Sequence, residues 1–97
     1  MKFEWDERTN QSNFIKHGFD FADAYRIFNL SMVVELDERE NYGEVEVRFV
    51  AIGLLDGRVV VIVYTEPDDQ TIRIISLRKA LSYEGKYYEQ YLKNRLE

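Results

Sequence analysis

Residues 71–80 read Thr71-Ile72-Arg73-Ile74-Ile75-Ser76-Leu77-Arg78-Lys79-Ala80, an apolar strand that runs directly into fixed positive charge. Two-residue alternation along a strand places Ile72, Ile74, Ser76 and Arg78 on one side and Arg73, Ile75 and Leu77 on the other. Neither side is wholly apolar. A strand this oily belongs well inside a sheet, yet an unpaired buried guanidinium is very costly. Its arginines must therefore reach an edge, a carboxylate or an anionic ligand, and the rest of the chain reads as a scaffold that presents them.

Working upstream, Val59 to Tyr64 is apolar at consecutive positions, the pattern of a central strand covered on both faces. Asp56-Gly57 before it tolerates the positive φ of a tight hairpin turn. Glu44 to Leu55 alternates, with Val45, Val47, Phe49 and Ala51 on one face and Glu46, Arg48, Val50 and Ile52 on the other. Glu66-Pro67-Asp68-Asp69 turns the chain again. Strands over 44–55, 58–65 and 71–78, joined by short loops, predict an antiparallel meander. Downstream, a helix from about Leu81 toward Arg95 carries Tyr83, Tyr87, Tyr88, Tyr91 and Leu92 on a broad aromatic side. Gly85 weakens its first turns by about 1 kcal/mol. Those rings can pack with their hydroxyls wet, or meet another chain.

Toward the N-terminus, Phe3 to Trp5 is a short apolar opening and Asp6 is a helix N-cap. The helix it starts, Glu7 to Lys16, is mostly polar, with Phe14 and Ile15 as the residues to bury. Lys16-His17-Gly18 ends it, with cations at the C-terminal carbonyls and Gly18 free to turn left-handed. Asp20 caps a second helix, Phe21 to Phe28, with Phe21, Ala24, Tyr25 and Phe28 as its core stripe. Met32 to Leu36 reads as a strand and Asp37 to Gly43 as a charged turn. The expected fold is α+β: two N-terminal helices, an antiparallel β-meander and one C-terminal helix, helices against one sheet face, in a single domain over residues 1–97.

The net charge of −5 is unevenly spread, at −1 over residues 1–34, −7 over 35–70 and +3 over 71–97. Six acids lie between Glu35 and Glu46 against the single base Arg39, so a basic face can exist on an acidic molecule. Cysteine is absent and histidine occurs once, which excludes disulfides, thiolate metal sites and cysteine nucleophiles and leaves no zinc site from histidine alone. No metal or cofactor is expected. No stretch has the length and apolarity of a membrane span, and MKFEWDER lacks a signal peptide's basic-then-apolar pattern. A soluble, cytoplasmic protein is expected.

Glycine-rich phosphate loops, HExxH, EF-hand acids and serine elbows are all absent. What remains is a set of ionisable groups that could converge: Lys16 and His17 at one helix end, Arg48 on a strand, Arg73, Arg78 and Lys79 around the last strand, and Glu84 one helical turn beyond. Such a set suits metal-free cleavage of RNA, in which a base takes the 2′-hydroxyl proton, cations stabilise the phosphorane and an acid protonates the leaving oxygen. Imidazole suits either proton-transfer role, and the planar fork of Arg78 matches phosphate oxygens. Structural alternatives stand beside each role. His17 can simply close a helix, Arg48 and Arg73 can pair with Glu46 or Glu84, Lys79 can be solvated, and Glu84 can be an acid at a helix start.

Phe3-Glu4-Trp5-Asp6, Asn13, Lys16-His17-Gly18 with Phe21 and Ala24, Tyr42-Gly43-Glu44, Arg48 to Gly53, Val63 to Glu66 and Arg73 to Ala80, taken in order, resemble the BrnT family of type II toxin-antitoxin toxins. The resemblance implies a RelE-like fold and a ribonuclease that halts translation. It implies neutralisation by a BrnA-like antitoxin with a ribbon-helix-helix portion, through which the complex reaches operator DNA. A homodimer is expected when the chain is unpartnered, and no membrane association. Lys16, His17, Arg48 and Arg78 are the expected catalytic positions and Arg73, Lys79 and Glu84 the expected substrate-binding ones. Thr9 stands where many relatives carry lysine, and Leu81 to Gly85 where they carry a basic helix start. The competing expectation is a catalytically weak module that binds antitoxin and serves operon control.

Overall fold

The computed structural model describes residues 1–37 and 47–95. Its elements are β1 (Lys2–Glu4), α1 (Glu7–His17), a 3-10 helix (Phe21–Asn29), β2 (Val33–Leu36), β3 (Arg48–Leu55), β4 (Arg58–Asp68), β5 (Thr71–Lys79) and α2 (Ser82–Arg95). The meander β3-β4-β5 is present, with β4 at the centre of a five-stranded sheet ordered β1-β5-β4-β3-β2. Asp56 and Gly57 both adopt positive φ, 52° and 78°, in the tight turn between β3 and β4. The charged turn expected over 37–43 lies, apart from Asp37, outside the described residues, as does the expected strand start at Glu44.

Four features differ from the sequence expectation. Phe3 to Trp5 is not just an apolar opening: Lys2–Glu4 forms a strand parallel to β5, Glu4 opposite Arg73, so the sheet is mixed. Second, the helices do not share one face. Phe21, Ala24 and Ile27 pack on one face, against Ala51, Val60, Ile62, Ile74 and Leu77. On the other, Tyr88 of α2 packs against Ile52 and Val61.

Third, the segment after Asp20 is a 3-10 helix. Three residues per turn aligns Phe21, Ala24 and Ile27, which are buried, and leaves Tyr25 half exposed. Fourth, α1 buries amides instead of hydrocarbon. Phe14 and Ile15 are exposed, whereas Asn10 and Asn13 are buried. The Asn13 amide nitrogen donates to the Leu77 carbonyl at 2.8 Å, and the Leu77 N–H donates back to its Oδ1 at 3.2 Å. This side chain thus supplies the two bonds a neighbouring strand would make, on the β5 edge that β1 pairs only from Thr71 to Arg73. One turn earlier, Asn10 Oδ1 accepts from the Phe21 N–H at 2.9 Å and its Nδ2 donates to Asp20 at 3.1 Å, tying the 3-10 helix to α1.

The strand read first carries an irregularity that simple alternation cannot show. Val61 faces Arg78 and Val63 faces Ser76, but Tyr64 faces Ile74, so Ile75 is an extra residue bulged out of the ladder. A bulge shifts the side-chain phase by one. Ile74 and Leu77 therefore both enter the first core, and Arg73, Ser76 and Arg78 share the opposite face, contrary to the split expected from a regular strand. The second irregularity, between Thr65 and Asp68, falls at Pro67, whose missing N–H a broken ladder tolerates.

Asn13→Ala is expected to cost about 2–4 kcal/mol, because it strands buried backbone groups of Leu77; urea denaturation measures it. A Cβ on Gly53 would lie 2.8 Å from Ile27 Cγ2 and 3.3 Å from Met32 Cβ. Gly53→Ala should therefore push the 3-10 helix off the sheet and cost about 1–3 kcal/mol in the same assay.

Candidate functional site

Lys16 and His17 close α1 as its basic last turn, and Gly18 follows at φ 78° with its N–H donating to the Phe14 carbonyl. Both side chains line an open hollow of about 210 Å³ together with Thr9, Ser12, Asn13 and Ile75. Thr9, Ser12, Asn13 and Lys16 sit at three- and four-residue spacing, so they form one stripe along α1. The bulged Ile75 supplies the hollow's side from the sheet. Asn13 is thus both the pin that docks α1 and part of the site's wall. It was visible in sequence as one of two asparagines in a helix with little to bury, though their contacts were not.

Arg48, Thr65 and Arg73 lie directly opposite one another on β3, β4 and β5, and Glu4 of β1 extends the row beyond Arg73. A single carboxylate oxygen, Glu4 Oε2, accepts from Arg73 Nε at 2.8 Å and lies 2.7 Å from Nη2. Glu4 is thus a partner of Arg73 that the sequence alternatives did not include and that appears only once β1 is seen to join the sheet, while Glu46 lies outside the described residues. Thr65 is buried, and its hydroxyl has no hydrogen-bond partner.

Farther along the same face, Arg78 Nη1 and Nη2 donate to Glu84 Oε1 at 2.8 Å and Oε2 at 2.9 Å, and Nη1 also donates to the Lys79 carbonyl at 3.2 Å. The Leu81 N–H donates to Glu84 Oε1 at 2.7 Å, so Glu84 is also the acid that satisfies an orphan donor at the start of α2. The Arg78 fork, helped by that N–H, holds the Glu84 carboxyl below its ordinary value against the opposing effect of burial. Lys79 is exposed at the end of β5. The seven residues singled out from sequence thus occupy two settings: Lys16 and His17 around the hollow, and Arg48, Arg73, Arg78 and Glu84 on the second sheet face, with Lys79 at its rim. Among the described residues, no three histidine or carboxylate side chains gather as a metal site.

The Arg78–Glu84 bridge has a pH signature. A carboxyl whose folded pKa is lowered contributes stability that is present above its ordinary value of 4.5 and is lost as pH falls through the lowered value. Glu84→Gln should be less stable than the parent by about 1.5–3 kcal/mol at neutral pH. In urea titrations the difference should hold down to about pH 5 and shrink in more acidic buffer.

No protein of curated function matches the sequence. The crystal structure of the Brucella abortus ribonuclease toxin BrnT matches the fold with a TM-score of 0.64 and 28% sequence identity, covering 84% of this chain and 99% of that one. The family model described as the ribonuclease toxin BrnT of type II toxin-antitoxin systems matches residues 5–84. That span runs from Trp5 before the α1 cap to the Glu84 that closes the Arg78 bridge, so this chain belongs to the BrnT family of ribonuclease toxins.

Proposed function

We propose that this protein is the toxin of a type II toxin-antitoxin pair, a metal-independent, RelE-like endoribonuclease that acts as a single domain in the cytoplasm and inhibits translation by cutting RNA. The observation that carries this reading is the hollow where Lys16 and His17 stand beside Thr9 and Ser12, in a chain whose family is named for RNA cleavage. Imidazole and ammonium at one open hollow can move a proton and hold a phosphate oxygen, the two tasks that 2′-hydroxyl attack demands. Arg48 and Arg78, the other two residues assigned to catalysis, act on the RNA from the second sheet face, where Arg73, Lys79 and Glu84 seat it, so the substrate has to span both settings. A BrnA-like ribbon-helix-helix antitoxin neutralises the toxin and carries the complex to operator DNA. Without that partner the chain can pair with itself.

Induction in a bacterium should arrest growth and protein synthesis. The double change Lys16→Ala, His17→Ala should relieve the arrest with the melting temperature unchanged, since both side chains are exposed. Arg78→Ala should relieve it too, but with a lower melting temperature, because Glu84 loses the partner that compensates its burial. Purified protein should cut RNA in excess EDTA. Uncut RNA and normal growth with folded protein present would reject the nuclease.

A second reading is a catalytically weak module that binds antitoxin for operon control. It is favoured by one observation, that carboxylates of this chain already fill the forks of Arg73 and Arg78. Intact operator binding by the antitoxin complex of a folded but non-cutting chain would select it.

A further inference from the structure

Phe14 and Ile15 are the two large apolar side chains of α1, and both face solvent, at 54% and 85% exposure. A surface helix ordinarily turns such residues to the core, but here the buried positions are taken by Asn10 and Asn13. The exposed pair lines a second hollow, of about 340 Å³, with Glu7, Asn10, Gln11 and Asp20. Glu7, Asn10, Gln11, Phe14 and Ile15 follow three- and four-residue spacing, so one side of α1 makes the wall. Asp20, the cap of the 3-10 helix, completes it.

This hollow is acidic as well as apolar. The Asn10 amide nitrogen donates to both carboxylates, to Glu7 Oε1 at 3.3 Å and to Asp20 Oδ1 at 3.1 Å, so two negative charges are held side by side. Their other side-chain hydrogen bonds also come from neutral donors, the Trp5 indole for Glu7 and the Ala22 N–H for Asp20. Folding accounts for both acids, as a first-turn charge and a cap. It leaves the two apolar side chains beside them in water.

Charge selects what can cover them. RNA phosphates would meet Glu7 and Asp20 and be repelled. A second copy related by a two-fold axis would set the same acids against themselves. A protein segment carrying an apolar side chain next to lysine or arginine satisfies both halves of the hollow. We propose that this hollow docks the antitoxin, which seats an apolar side chain against Phe14 and Ile15 and a flanking lysine or arginine beside Glu7 and Asp20. The inference rests on the toxin-antitoxin reading for the partner's identity, and it adds where that partner binds and the chemistry it must offer.

The position also accounts for neutralisation. Lys16 and His17 line the other hollow and belong to the same last turn of α1 as Phe14 and Ile15, within about 10 Å across one helix. A standard interface covers about 800 Å² on each partner, a patch roughly 30 Å wide. A partner anchored on Phe14 and Ile15 therefore overlies the end of α1 and shuts the Lys16 and His17 hollow.

The test measures affinity for the purified product of the reading frame adjoining this chain's own, alongside RNA cleavage and gel filtration of the unpartnered chain. The double variant Phe14→Gln, Ile15→Gln should bind about thirtyfold more weakly or worse, with melting temperature and cleavage at the parent's level. Gln11→Lys, which places a cation at the acidic hollow, should bind at least about fivefold more weakly than Gln11→Glu, and the gap should narrow in high salt. Parent-like affinity of a folded double variant would overturn the proposal. So would slower cleavage by that variant without antitoxin, which would give the face to RNA, or lost self-association at unchanged antitoxin affinity, which would give it to a second copy. Should the double variant fail to fold, the Gln11 pair decides, and equal affinities sink the docking site. A parent that binds no such product loses the toxin-antitoxin reading itself, a failure visible before any variant is compared.

Discussion

The amide of Asn13 against the backbone of Leu77 is the contact on which the remaining arrangement turns. A strand edge presents donors and acceptors that must be satisfied by something, and β1 is too short to satisfy the whole length of β5. By offering one donor and one acceptor in the spacing of a peptide group, Asn13 lets a helix take over where the strand stops. A helix with almost no apolar face can then be docked at all. Its position beside Ile75 is what turns a surface helix end, Lys16 and His17, into the wall of a hollow.

The bulge at Ile75 is the second constraint, and it works with the first. It changes the phase of β5 midway, so that Leu77 joins Ile72 and Ile74 in the core while the arginines at 73 and 78, five residues apart, come to the same face. In an unbroken strand an odd separation would put them on opposite faces. One extra residue thus keeps the core continuous and assembles the cationic face together. The bulged side chain itself is left to face α1.

Charge on that face is organised by pairing. Glu4 and Glu84 come from opposite ends of the chain, each meeting an arginine of β5, yet the two bridges differ in kind. The Arg78–Glu84 bridge is bidentate, its carboxylate is 12% exposed, and it also closes the start of α2; it belongs to the architecture. The Arg73–Glu4 bridge engages one carboxylate oxygen at an exposed position and lies next to an unsatisfied hydroxyl. Geometry and exposure, more than the identity of the paired residues, separate a buried bridge that holds the fold from one that solvent screens.

Local pattern was enough to reveal the three meander strands, the Asp56-Gly57 turn, the central place of β4 and the caps at Asp6, Asp20 and Gly18. These features depend on neighbours in the chain, through periodicity, turn conformation and capping. The parallel pairing of β1, the burial of Asn10 and Asn13, the three-residue period after Asp20 and the partners of Arg73 and Arg78 were not legible in that way. Each depends on which segment arrives beside which, separated by up to 69 residues for Glu4 and Arg73. The bulge made the difference sharpest. Composition showed that β5 joins apolar and cationic residues, but a one-residue slip in pairing reverses every side chain beyond it, and that slip exists only between two strands.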